Sequence, residues 1–474
     1  MRVLFVSAEV SPFAKTGGLA DVALALPRAL HDLGVDVAVV MPKYRIVEGK
    51  TPMDTVARFS VPVDGEPKEC IVYRGALPES EVPIFFLAHD PYFDRPELYG
   101  EGTEYEDALE RFTFFSRASL ELCRATGFIP DILHANDWHA ALIPAFLRDR
   151  AVNGIGEPKT MLTIHNLGYQ GVSNADKRHV TGLSERALAP YLAGHRINLL
   201  KGGILGSDLI NTVSPTYAEE ILKQGAGLEA ELAARRDVLF GVLNGVDTSV
   251  WDPATDPHLW VPYDANNLAG KVENKNRLQE ELKLRAAPDT PLVAVISRLA
   301  EQKGFDLIMD GFDQMMEKGV QFVLLGTGDD EYERFFRDAQ ERYPGRVASL
   351  ITFSEQWAHR IEAAADIFLM PSHYEPCGLN QLYSLRYGTA PLVRATGGLK
   401  DTVFELDREA DQGNGFLFEN YTGDALVEAI GRAVNAYRED SEAWTRMILR
   451  GMKQDLSWRS SAREYMELYD RVTD

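Results

Sequence analysis

Arg298 and Lys303 lie in the stretch SRLAEQKG, directly after the apolar run LVAVIS. A planar guanidinium and an ammonium at the end of a buried strand suit a diphosphate leaving group, on which negative charge grows as it departs. Alone, such a pair is more often a solvated helix start; beside a glycine turn in an acidic protein, the phosphate reading prevails. Glu375, in HYEPCGLNQL, follows the run DIFLMPS. Pro376 suits a first helical turn and Gly378 a close backbone approach, so Glu375 either accepts hydrogen bonds from hydroxyls or caps the helix. Cys377 has no partner base in sight and reads as a packed small residue.

In the first half His165 opens IHNLGYQG after the run TMLTI, and Asn136, Asp137 and His139 end the run DILHA. A lone histidine at a strand end is more often structural, but here polar groups of two strands converge. His134, His139 and His165 lack the spacing and the glutamate of a zinc helix. No D-x-D pair and no Walker A loop occurs, and G-x-G at Gly326–Gly328 is weak alone. Two like turns, KTGGLADV from Lys15 and TGGLKDTV from Thr396, stand near opposite ends of the chain. Paired glycines fit a backbone that bends sharply or approaches a ligand.

These groups need elements to carry them. Short β-rich runs alternate with helical patterns throughout, the signature of parallel α/β architecture. The first half holds RVLFVS, VDVAVVM, VPIFFLA, DILHA, TMLTIHN, LINTVS and VLNGV; the second holds LVAVIS, QFVLLG, SLITF, DIFLMPS, APLVRA and GFLF. Between them WDPATDPHLWVPYDANNLAG reads as a connector, and SWRSSAREYMELYDRV as a closing helix. Every candidate residue follows a strand, where open parallel sheets bind ligands. One ligand site between two such domains is therefore expected, each TGGL turn forming one lip.

At 474 residues the chain exceeds one ordinary core. Its 71 acidic against 49 basic residues give a net charge of −22, which repels nucleic acid and anionic lipid, so an anionic ligand needs a local basic pocket. Three widely spaced cysteines, Cys70, Cys123 and Cys377, imply reduced thiols rather than a disulfide framework. The N-terminal apolar run is short for a signal peptide and no run approaches a membrane span. A cytoplasmic protein is expected, with no nucleic acid or membrane partner.

In order, KTGGLADV, HANDWHA, HNLGYQG, VSPTYAEEI, VLNGVD, SRLAEQKGFD, YEPCGLNQL and ATGGLKDTV resemble the bacterial glycogen synthase and plant starch synthase family. The resemblance spans nearly the whole chain. It implies a GT-B glycosyltransferase: Rossmann-like domains over 1–250 and 251–455 around a deep cleft, and a final helix, 456–474, returning to the first domain. It implies transfer of glucose from ADP-glucose to the non-reducing end of an α-1,4-glucan, with retention and without metal or other cofactor. By motif position Lys15, Gly17 and Gly18 would touch the donor with Asp21 and Asp137 nearby. His165 would lie over the reacting glucose, Asn244 near the donor, and Arg298 and Lys303 on the diphosphate. Glu375 would hold glucose hydroxyls. The backbone of Cys377, Gly378, Leu379, Thr396, Gly397 and Gly398 would approach phosphates and sugar, and Phe353 would lie against the base. Three other readings share these features: a pyridoxal-phosphate-dependent glucan phosphorylase, a non-catalytic glucan or nucleotide binder, and a glucosyltransferase that uses UDP-glucose or a small-sugar acceptor.

Overall fold

The computed structural model describes residues 1–100, 104–287 and 289–473, and they divide into two units. Unit 1 comprises Met1–Asn244 with Trp458–Asp474; unit 2 comprises Gly245–Ser457.

Unit 1 is built on β1 (Arg2–Val6), β2 (Asp36–Pro42), β3 (Asp54–Val63), β4 (Glu66–Ala76), β5 (Pro83–Ala88), β6 (Ile132–Asn136) and β7 (Lys159–Ile164). A small three-stranded sheet follows, of β8 (Val172–Asn174), β9 (Leu192–Ala193) and β10 (Arg196–Asn198). Then β11 (Leu209–Thr212) and β12 (Leu239–Gly241) complete the main sheet, whose order is β12-β11-β7-β6-β1-β2-β5-β4-β3. It is parallel from β12 to β5, and β4 and β3 add an antiparallel edge. The central strands are continuous apolar runs because helices cover both faces; Val3, Phe5, Val6, Val39 and Val40 are fully buried. From β1 the chain builds outward first to β2 and β5, later to β6, β7 and β11. The switch point therefore lies between β1 and β6.

Helix Trp458–Thr473 belongs to this unit and buries Trp458, Tyr465 and Tyr469. The Tyr469 hydroxyl meets His134 Nδ1 at 2.7 Å, and His134 Nε2 meets Thr163 Oγ1 at 2.6 Å. The Thr163 hydroxyl donates to Asn211 Oδ1, whose amide donates in turn to the Tyr465 hydroxyl. Because Thr163 spends its proton on Asn211, His134 carries its own on Nε2 and accepts from Tyr469. Burial lowers the His134 pKa to about 3, so the ring is neutral. His134 is a satisfied core histidine that fastens the closing helix.

Unit 2 is a parallel sheet of β13 (Leu292–Ile296), β14 (Gln321–Leu325), β15 (Val347–Leu350), β16 (Ile367–Met370), β17 (Ala390–Arg394) and β18 (Phe416–Phe418). Its order, β15-β14-β13-β16-β17-β18, places the switch point between β13 and β16. The connector from Trp251 belongs to this unit, held by the Trp251 ring lying between His359 and Tyr383, with centroids 3.8 and 3.9 Å away.

The structure differs from the sequence reading at several elements. The β3–β4 hairpin was not expected. The strand expected at VLNGV lies earlier, at Leu239–Gly241, where Gly241 lets the backbone approach Ser214: a Cβ there would stand 2.2 Å from the Ser214 carbonyl oxygen. The strand expected at SLITF is β15, two residues earlier. No helix begins at Pro376. Gly378, at φ +75°, breaks the path, and the helix runs Asn380–Arg386.

Candidate active site

In unit 2 the two strands flanking the switch point, and β17 beside them, deliver the polar groups. Past β13, the loop Ser297–Gly304 carries Arg298 and Lys303. This loop is clamped by glycine contacts: a Cβ on Gly326 would stand 1.9 Å from the Ser297 carbonyl oxygen, one on Gly328 2.1 Å from that of Leu299, and one on Gly304 2.1 Å from that of Pro371. The G-x-G pair at 326–328 thus lets backbone press on the cationic loop. Arg298 is exposed and, among the described residues, has no ion pair. Lys303 Nζ donates to Glu375 Oε2 at 2.7 Å, and Ser372 Oγ donates to the same oxygen at 3.0 Å.

Glu375, past β16, is only 6% exposed, so its charge needs those partners. Its Oε1 has no protein donor among the described residues and remains able to accept a hydroxyl. Glu375 therefore does not cap a helix. Past β17, the second glycine turn folds onto the Glu375 backbone: Gly398 N donates to the Glu375 and Pro376 carbonyls at 3.2 Å each. Thr396 lies buried in extended conformation just before Gly397. Gln381 Nε2 donates to the Cys377 and Gly378 carbonyls at 3.0 Å each and ties the segment before Leu379 to the helix after it. Cys377 is buried and, like Cys70 and Cys123, forms no disulfide among the described residues. Phe353 lies past β15 and is 88% exposed, leaving its face open for stacking.

Unit 1 repeats the arrangement. The first glycine turn follows β1, and Lys15 Nζ pairs with Asp21 Oδ1 at 2.7 Å. Past β6, Asp137 holds φ at +55°, a conformation costing about 1–3 kcal/mol for a residue with a side chain. Its Oδ1 accepts from His165 N at 2.8 Å, and the Asn166 N–H also serves it, so it shapes the loop past β7. Burial pushes the Asp137 pKa up to about 7, against the pull of those N–H groups. His165 Nε2 lies 2.9 Å from Asn136 Oδ1, an acceptor, which places the proton on Nε2. Burial lowers the His165 pKa to about 3, so the ring is neutral and offers the Nδ1 lone pair. His139 stacks on Trp138 at 4.1 Å within an aromatic cluster. Asn244 ends the unit, buried, with no hydrogen-bond partner for Oδ1 among the described residues. Sequence reasoning named Asn136 but missed the orienting roles of Glu9, Ser372 and Gln381, although Ser372 ends DIFLMPS and Gln381 stands in HYEPCGLNQL.

The two glycine turns have different reasons for being glycine. A Cβ on Gly397, at φ +46°, would stand 1.9 Å from the Glu375 carbonyl oxygen, and one on Gly398 2.3 Å from that of Cys377. The protein itself requires both. A Cβ on Gly17 meets no protein atom within 4 Å, and its φ of −154° is extended backbone open to any residue. Gly397→Ala is expected to destabilise unit 2 by more than about 3 kcal/mol. Gly17→Ala should leave the fold within about 1 kcal/mol of the parent yet raise the donor KM about tenfold or more, by 1.4 kcal/mol per decade. Thermal melts beside donor titrations check both.

Two Rossmann-like units, each with polar groups and a glycine turn at the carboxyl ends of strands at or beside its switch point, define a glycosyltransferase of the GT-B class. Residues 2–234 match the family described as starch synthase catalytic domain, and residues 276–448 match glycosyl transferases group 1. Over 484 residues the chain is 46% identical to a glycogen synthase of Thermotoga petrophila, covering 100% of this chain and 99% of that one. The structure resembles the catalytic domain of starch synthase IV from Arabidopsis thaliana, bound to ADP and acarbose, with a TM-score of 0.92, 36% identity and coverage of 100% and 99%. The chain belongs to the glycogen synthase and starch synthase family. A sucrose-phosphate synthase from Thermosynechococcus elongatus, at a TM-score of 0.61 and 20% identity over 99% and 98%, shares the fold. Among the described residues no helix is long and apolar enough to cross a membrane.

Proposed function

We propose that this protein transfers glucose from ADP-glucose to the non-reducing end of an α-1,4-glucan with retention of anomeric configuration, in the cytoplasm and without a metal or other cofactor. The observation that carries the reading is the Lys303–Glu375–Ser372 cluster beside the second glycine turn, at the switch point of unit 2. Cleaving the anomeric C–O bond builds negative charge on the departing diphosphate and positive charge on the sugar. Arg298 and Lys303 supply fixed cations for the former. The free Glu375 oxygen accepts a glucose hydroxyl and orients the ring, its negative charge favouring oxocarbenium character. The neutral His165 ring accepts a second hydroxyl through Nδ1. Retention follows a front-face course, with leaving and attacking oxygens on one side of the sugar. The ADP held by the Arabidopsis starch synthase IV domain supports the donor.

Stacking on Phe353 suits any base, so preference for adenine comes from hydrogen bonds to the base edge, where an unpaired buried polar group costs about 1–3 kcal/mol. One or two such losses favour ADP-glucose over UDP-glucose by about tenfold to several hundredfold. Nucleotide release on glycogen, followed with each donor, is the test. Equal kcat/KM overturns the donor assignment, and release with a small-sugar acceptor alone overturns the glucan assignment.

A further inference from the structure

We infer that Glu9 is a positioning residue whose buried carboxylate holds the Thr16–Gly17 turn in the shape that receives the donor. The inference rests on the donor reading of that turn given above.

Glu9 follows β1 and is 4% exposed. Its Oε2 accepts from Thr16 N at 2.5 Å and Gly17 N at 3.3 Å. Its Oε1 accepts from Thr16 Oγ1 at 2.6 Å and from the Tyr99 hydroxyl at 2.8 Å. A carboxylate taken out of water must be compensated, and here neutral donors do it; none of these partners is a cation. Three of the four come from two consecutive residues of one turn, so the carboxylate fixes that turn's backbone from beneath.

Two features give this fixing a purpose outside the fold. The helix Gly18–Asp32 begins directly after the turn with no side-chain cap, so its own first N–H groups are not spent on a cap while Glu9 takes the two before them. The space before Gly17 is open, as shown above. Gly17 has neither a close contact nor a positive φ to require glycine, so the fold does not account for its missing side chain. The fourth donor extends the effect: the Tyr99 ring stacks on His139 at 4.9 Å, and His139 lies two residues past Asp137, whose carboxylate shapes the His165 loop. Glu9 thus joins the glycine turn past β1 to the polar shelf past β6.

Glu9→Gln keeps the shape and places an amide donor against donors. Even with its oxygen toward the Thr16 and Gly17 N–H groups and its amide toward the two hydroxyls, the glutamine loses the negative charge that strengthens all four hydrogen bonds. Displacing reacting groups by about 1 Å can cost about 10²-fold, so Glu9→Gln is expected to lower donor kcat/KM by about that factor. The glucan KM should stay within about twofold, because the loss falls on donor placement. Hydrogen exchange at the Thr16 and Gly17 amides should quicken with it. Thr16→Ser, which keeps the hydroxyl, should match the parent, while Thr16→Val should lose about five- to tenfold, the worth of one hydrogen bond. Exchange protection retained in Glu9→Gln overturns the inference, as does donor kcat/KM within about threefold of the parent. Should Glu9→Gln fail to fold, a Thr16→Val variant indistinguishable from Thr16→Ser overturns it. A parent that releases nucleotide from no donor refutes transfer itself. ADP affinity by calorimetry then replaces kcat/KM: weakened binding in the same variants supports the role of Glu9, and unchanged binding overturns it.

Discussion

Replacing Glu375 with glutamine is expected to lower turnover by about 10³-fold, the upper range for removing one preorganised electrostatic partner, while ADP affinity changes by no more than about threefold. The substitution keeps size and one oxygen, so the loss tests charge rather than packing. Two charge effects act together. The sugar loses the carboxylate oxygen that no protein donor occupies, and Lys303, 2.7 Å from the other oxygen, loses its counter-ion. The nucleotide contacts proposed for Arg298 and for the turn past β17 are untouched, so binding is expected to survive. Calorimetry with ADP beside steady-state turnover separates the two. A variant that lost ADP binding yet kept its turnover would reverse the assignment of Glu375 to the sugar.

Lys303→Ala is expected to cost about 10²–10³-fold in kcat, the size seen when one fixed donor to developing charge is lost. Here the structure adds a consequence that the sequence did not offer. The Glu375 side chain is only 8% exposed, and without Lys303 it keeps Ser372 as a partner. Lys303→Ala removes the one cation that the structure places on this buried carboxylate, so it also disturbs the group proposed to hold the sugar. The two substitutions then fall on one unit and should be non-additive: Lys303→Ala combined with Glu375→Gln should lose little more than the worse single variant. Losses that multiply would show independent roles, and a Lys303→Ala enzyme within a few-fold of the parent would falsify the diphosphate assignment.

The residues that carry charge were legible in the sequence because each follows an apolar run with polar punctuation, and strands of a buried parallel sheet have no other pattern to offer. RVLFVS and LVAVIS are such runs, and Lys15, Arg298 and Lys303 follow them. The β3–β4 hairpin went unread because its outer strand is largely exposed and mixes Asp, Arg and Ser with Val and Phe, blurring the alternation. The one signal present was Asp64-Gly65, a pair suited to a two-residue turn, and both residues take positive φ, 56° and 72°. Glu9 was not legible at all. A single glutamate in SAEV has no spacing to interpret, and Tyr99, the partner that ties it to the polar shelf, stands 90 residues away. The shift of the helix start from Pro376 to Asn380 has a like origin, since Gly378 takes positive φ through contacts made in three dimensions. The twin TGGL turns were legible as turns, but their differing causes were not: one glycine pair yields to the chain's own backbone, while Gly17 of the other yields to nothing in it.

Helix Trp458–Thr473 lends Trp458, Tyr465 and Tyr469 to the core of unit 1, although it is encoded after the whole of unit 2. Vectorial synthesis therefore gives the units opposite fates. Everything unit 2 needs, from Gly245 to Ser457, is synthesised before the helix is made. Unit 1 starts first and finishes last, its sheet waiting with the pocket for Tyr465 and Tyr469 unfilled while some 200 intervening residues are translated, about 10–40 s at common elongation rates. A message cut short anywhere before codon 458 yields a chain whose first half lacks the helix that partners His134 of β6 and Asn211 of β11, a target for quality-control proteases. Translation through this helix is thus written into the fold as a condition for a closed core in unit 1.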